Sequence, residues 1–234
     1  MAHFLLIHGA SHGAWCWNKV VPRLRDQGHD ATAIDLPSHG DDSTPPEGIK
    51  ISDYVDRTIA AMTDDTILVG HSLGGLTITL AAAANPTQTR ALVYLCAFVP
   101  PPGVSAREYR LDAVTPDLVA MQKVDHDKGL AMPDLDRAAG VFYSDCSQED
   151  RAYGLARLGP QPTSIMTEVL TFDPPKVPRH YIRCLQDKTV KPSYQLDISN
   201  DWPKDCLHDL DSGHSPFFSQ PDHLVDIFGL IAQR

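Results

Sequence analysis

Short apolar runs alternate with longer amphipathic stretches along most of this chain. That alternation predicts strands feeding helices in βαβ units around a parallel sheet. His3–Ile7 reads as a buried strand, Trp15–Gln27 as a helix stopped by Gly28, and Asp30–Ile34 as the next strand, closed by a Pro37–Gly40 turn. Residues 41–50 are polar and rich in Pro and Gly, hence loop. Ser52 is the expected cap of a helix reaching about Met62. Thr66–Val69 is a strand, Leu73–Ala84 a helix closed by Asn85-Pro86, and Arg90–Cys96 a strand.

The alternation then lapses. Pro100-Pro101-Pro102-Gly103 breaks the chain, and residues 104–175 carry helical pieces without buried strands. After Pro178 the pattern resumes with a strand at His180–Cys184, a helix at Pro192–Ser199, a strand at Asp205–Leu210 and a last helix at Pro221–Ala232. The expectation is an α/β architecture of six mostly parallel strands with an insertion after the fourth. Residues 1–99 and 179–234 would form the core, and 100–178 a helical cap.

Composition narrows the function. With 234 residues the chain is long enough to bury a core without disulfides or metals. Its 20 Lys and Arg against 30 Asp and Glu give a net charge of −10 with no basic run, a poor match for nucleic acid or an anionic membrane. No apolar run approaches the roughly 20 residues needed to span a bilayer, and the N-terminus does not read as a signal peptide. The cysteines, at 16, 96, 146, 184 and 206, are odd in number and widely spaced, which predicts free thiols in a reducing cytoplasm.

The most informative segment is Val69-Gly70-His71-Ser72-Leu73-Gly74-Gly75, a G-x-S-x-G set between an expected strand and an expected helix. A serine on so tight a turn projects its hydroxyl beyond the sheet, and the helix N-terminus beneath it favours developing negative charge. Acyl transfer also needs two N–H donors aimed at one oxygen. Leu73 offers one, and Ala10, in the loop after the first strand, offers the second. His8 and His12 in that loop could suggest a metal pair, but no third ligand is near, and they read as packing histidines. The general base should leave the sheet at its carboxyl edge, where His214 follows the last strand. The acid should follow a strand between Ser72 and His214. Asp187 does so, and Asp209 and Asp211 are alternatives closer to the histidine in sequence. His71 reads as beside the nucleophile but turned away from it.

These segments resemble the α/β-hydrolase superfamily, in the branch holding plant methylesterases of the salicylate-binding type, hydroxynitrile lyases and related bacterial esterases. The resemblance rests on Phe4–Trp15, Gly70–Leu76, Tyr94–Pro100, Phe142–Asp150 and Tyr181–Lys188. It implies a serine carboxylesterase acting on a small ester, with no cofactor or metal, and a homodimer in some relatives. Lyases of the rubber-tree and cassava kind carry Thr where this chain has Gly9 and Lys where it has Ser215, so ester hydrolysis is favoured over cyanohydrin cleavage. A C–C or hydroxynitrile lyase and a non-catalytic ligand receptor are the alternatives on the same fold. Phe98, Leu130, Met132 and Phe142, with Leu155, Leu158 and Met166, are candidate pocket walls, bordered by Gly9, Ser11 and Ser215.

Overall fold

The computed structural model describes residues 1–234, with the backbone alone for Arg110. Strand β1 (His3–Ile7) leads through a 3-10 turn at Ala14–Trp17 into α1 (Val20–Asp26) and β2 (Asp30–Ile34). Then come α2 (Ile51–Ile59), β3 (Thr66–His71), α3 (Gly74–Ala84) and β4 (Thr89–Leu95). The inserted segment holds α4 (Ala106–Arg110), α5 (Pro116–Met121), β5 (Gln122–Asp125), β6 (Leu130–Pro133), α6 (Leu135–Phe142), α7 (Gln148–Leu155) and β7 (Gln161–Pro162). The chain closes with β8 (Arg179–Cys184), α8 (Pro192–Ser199), β9 (Leu207–Leu210), α9 (Pro216–Ser219) and α10 (Pro221–Ala232).

Six strands form the main sheet in the order β2-β1-β3-β4-β8-β9, and every neighbouring pair is parallel. β3 is buried at every position because helices cover both faces, which is why it reads as a continuous apolar run. β2 lies on one side of β1 and β3 on the other, so the connections leaving β1 and β3 diverge at the carboxyl edge. A crevice opens where the strand order reverses, the usual ligand position in open α/β sheets. The register pairs Ile7 with Gly70, which brings the loops after β1 and β3 side by side.

Small residues seat α3 against this edge. A β-carbon on Gly70 would lie 2.7 Å from the Gly74 carbonyl oxygen, and one on Gly74 would lie 2.7 Å from the His8 carbonyl oxygen. Both approaches are too close for any side chain, so the two glycines of G-x-S-x-G are steric necessities of the turn.

Several boundaries differ from expectation for identifiable reasons. The expected helix Trp15–Gln27 divides into the 3-10 turn and α1, because Pro22 lacks an N–H and fits only in a first turn. Ser52 does not cap α2. Lys50 holds that position, and Asp53 Oδ2 accepts from its N–H at 2.7 Å. α2 also stops at Ile59 rather than Met62. Leu73 is the N-cap of α3, and β3 runs on to His71. β9 begins at Leu207, after a 3-10 turn at Lys204–Cys206. The largest difference lies in the insertion, which carries an antiparallel sheet β5-β6-β7 beside its helices. Its strands have four, four and two residues, and β5 is a polar, partly exposed run, too short and too hydrophilic to register as a strand.

Candidate active site

Ser72 sits directly after β3 with φ +52, in the left-handed region. Its backbone is held on three sides. The Ser72 N–H donates to Leu95 O at 3.1 Å, and its carbonyl accepts from the Gly75 and Phe98 N–H groups, each at 3.1 Å. Such over-determination keeps a non-glycine residue in a strained turn. The candidate base, His214, follows β9 and is buried, with Nδ1 2.9 Å from Asp187 Oδ2. Asp187 follows β8 and is equally enclosed. Oδ1 accepts from the Thr189 and Val190 N–H groups at 2.6 and 3.0 Å, and Oδ2 also accepts from Gln195 Nε2 at 3.0 Å. Of the candidate acids, Asp187 is bonded to His214, whereas Asp209 pairs with Arg183 and Asp211 accepts from Gln186.

His71 is engaged with His214. Its ring packs 4.5 Å from that of His214, centroid to centroid, and its Nε2–H donates to the His214 carbonyl at 2.9 Å. The Cys96 thiol reaches the same carbonyl at 3.6 Å. Together they fix the His214 backbone from below. His71, Cys96 and His214 are also the one group among the described residues whose donor atoms converge as metal ligands might. Of their ring nitrogens, His71 Nε2 and His214 Nδ1 already bond to protein partners, and burial pushes the Cys96 thiol well up.

The loop after β1 is ordered by its own histidines. His8 Nε2 accepts from Leu36 N–H at 3.2 Å, so its Nδ1 carries the proton and donates to Gly9 O at 2.8 Å. The His12 N–H donates to the same carbonyl at 3.4 Å. A trans peptide sets N–H opposite C=O, so anchoring Gly9 O turns the Ala10 N–H the other way. Among the described residues, no protein group accepts from the Ala10 or Leu73 N–H.

Ala10, Ser72, Leu73 and His214 face one cavity of about 240 Å³. Phe98, Phe142 and Met166 are on its wall. Gly9 is not. It lies behind Ser72, where a β-carbon would come within 2.9 Å of Ser72 Cβ. Ser11, Leu130, Met132 and Ser215 are also off the wall, as are Leu155 and Leu158. In β6 the strand phase decides this. Ala131 faces the cavity, so its neighbours Leu130 and Met132 face away, and Met132 is 40% exposed. Ser215 is buried at the start of α9. Leu118, Val124, Gln161 and Arg107, which the sequence did not single out, are among the other wall residues, and Arg107 carries the wall's one formal charge among the described residues.

The family model described as "Alpha/beta hydrolase family" matches residues 4–227. The chain belongs to the alpha/beta hydrolase family. It is 32% identical to Methylesterase 7 of Arabidopsis thaliana over 251 residues, spanning 99% of this chain and 96% of that protein. Among solved structures it resembles a pyrethroid hydrolase from Sphingobium faniae, with TM-score 0.87 and 26% identity over 99% of this chain and 97% of that one. It is also similar to a methylesterase protein from Arabidopsis, with TM-score 0.84 and 27% identity over 100% of this chain and 99% of that one.

Four buried histidines in and around the site resist protonation. Burial lowers the pKa of His12 to about 3 and of His39 to about 2, and lowers those of His8 and His71 as well. In the unfolded chain these rings protonate below about pH 6.5. In the folded chain they stay neutral to lower pH. The stability that these neutral rings contribute is therefore fully present above that pH and falls as the pH drops below it. Urea midpoints should accordingly hold from pH 7.5 to about 6.5 and decline from there to pH 5. A flat profile over that range would mean that the rings charge within the folded state. No helix among the described residues is long and apolar enough to cross a membrane.

Proposed function

We propose that this protein is a serine carboxylesterase of the α/β-hydrolase type that cleaves a small carboxylic ester through an acyl-enzyme. The observation that carries the reading is the shared cavity: Ser72 and His214 face it together, and Asp187 is locked behind the histidine. Likeness to enzymes named as methylesterases supports the same reaction class.

In this reading Ser72 Oγ attacks the ester carbonyl and passes its proton to His214 Nε2. The carbonyl oxygen becomes an oxyanion between the Ala10 and Leu73 N–H groups. Collapse expels the alcohol, which takes the proton from Nε2 and leaves the acyl group on Ser72. Water then attacks that ester with the same proton relay in reverse and releases the acid. Asp187 keeps the Nδ1–H of His214 oriented and stabilises the imidazolium. Residues 100–178 act as the lid that selects the substrate. The five free cysteines suit a cytoplasmic location.

The cavity is below the roughly 300–1,000 Å³ of drug-sized sites, and its wall is largely apolar, with Phe98, Leu118, Val124 and Phe142. Among p-nitrophenyl acetate, butyrate and octanoate, kcat/KM should be highest for one of the two short esters and drop at least severalfold at octanoate. A maximum at octanoate would rule out a small acyl group. Absence of turnover with all three by folded protein would rule out the esterase reading.

A further inference from the structure

The geometry points to Gln161 as a positioning residue that sets the second oxyanion donor from within the inserted segment; the inference rests on the ester-hydrolysis reading above. Ala10 stands between two peptide units. The first carries the N–H assigned above as the second oxyanion donor. The second, joining Ala10 to Ser11, is pinned at both ends. Its carbonyl accepts from His12 Nδ1 at 2.8 Å, and its N–H donates to Gln161 Oε1 at 3.3 Å. The next unit is also tied to the insertion, because Gly159 N–H donates to Ser11 O at 2.9 Å. Two residues of one short stretch thus grip both faces of Ser11.

The grip has strain to resist. Ser11 holds φ +62, a conformation that a serine abandons when its partners are removed. Gln161 is itself buried and fixed in orientation. Its Nε2 donates to Pro162 O at 3.1 Å and reaches Tyr54 OH at 3.4 Å, so Oε1 must face the Ser11 N–H. Gln161 opens β7, opposite Ala131 of β6, and Ala131 is on the cavity wall. The sheet of the insertion is therefore connected through one amide to the loop that carries Ala10. Without that amide the Ser11 N–H is buried unpaired, and the loop relieves it by turning the peptide, which swings the Ala10 N–H off the oxyanion position.

Gln161→Leu tests this. The readouts are kcat and KM on p-nitrophenyl acetate, and inhibition by a small trifluoromethyl ketone and by its secondary alcohol. Ser72 Oγ adds to the ketone carbon and its proton passes to His214, which leaves a tetrahedral oxyanion that needs the donors. The alcohol fills the same space without forming one. The variant should lose about 10- to 100-fold in kcat, part of the cost of deleting a whole donor, with KM within about twofold. Its Ki for the ketone should rise by a similar factor, and its Ki for the alcohol should stay unchanged. Gly159→Pro, which deletes the other tie, should show the same pattern and serves if Gln161→Leu fails to fold. Ketone and alcohol weakening together would reduce Gln161 to a pocket wall and overturn the proposal, as would an unchanged kcat. A wild-type enzyme that neither turns over the ester nor binds the ketone would overturn the esterase reading itself, and the proposal with it.

Discussion

Ser72→Ala should reduce hydrolysis of p-nitrophenyl acetate to background, a loss on the order of 10⁶ in kcat. The fold should survive, because nothing in the turn depends on the hydroxyl. The φ of +52 is held by backbone hydrogen bonds to Leu95, Gly75 and Phe98, and alanine occupies that region at about the cost serine does. Gly70 and Gly74, which permit the close approaches, are untouched. The variant should therefore melt within a few degrees of the parent and bind the acid product normally while failing to label with a fluorophosphonate. Turnover above about one part in 10³ of the parent rate would move the nucleophile elsewhere, since the donors and the cavity alone supply no more than a small residue of the rate.

Asp187→Asn carries the second largest expectation, a fall of about 10⁴ in kcat. The surroundings of Asp187 make the reason specific. Its carboxylate is surrounded by donors: two backbone N–H groups at Oδ1, Gln195 Nε2 and His214 Nδ1 at Oδ2, and the Cys96 thiol beside them. An asparagine must turn its NH₂ toward one of these pairs. Keeping its oxygen on the backbone pair leaves the NH₂ facing His214, which shifts the ring proton from Nδ1 to Nε2. The nitrogen that should accept the serine proton is then occupied. Gln195 cannot flip to compensate, because its Oε1 already accepts from Cys184 N–H at 2.8 Å. The change should also destabilise the fold by about 1–3 kcal/mol, the cost of buried donors left unpaired. A pH–rate profile together with a urea melt separates the two effects. Near-normal kcat would show that the acid is not Asp187.

The features legible in the sequence are those imposed by close contact. Gly70 and Gly74 announce the turn because a β-carbon at either would collide with backbone. β1 and β3 announce themselves because both of their faces are buried, which demands apolar runs. His214 and Asp187 are reachable by topology alone, since each follows a strand at the carboxyl edge. The pocket wall is much less legible. A one-residue phase in β6 decides that Ala131 faces the cavity and that Leu130 and Met132 do not, and a strand of four residues is too short to reveal its phase. The roles of His12 and His71 escape for another reason. Each acts on a backbone carbonyl, that of Ala10 or of His214, and hydrogen bonds to carbonyls leave no trace in residue type. The one hint is a histidine two residues after Ala10 in the same loop.

The order of the main sheet has a consequence for how such a protein diversifies. Ala10, Ser72, Asp187 and His214 come from the ends of β1, β3, β8 and β9, while the whole insertion occupies the single gap between β4 and β8. On the ester-hydrolysis reading, the reacting groups lie in one set of stretches and much of the cavity wall in another, with Phe98 and Thr189 contributed by the core, so the insertion is a natural unit to exchange or lengthen while the reacting atoms stay in register. The insertion is not wholly independent. A graft that brings a new binding surface but omits the amide at position 161 would inherit taste without tempo, and the recombinants worth screening first are those that retain it.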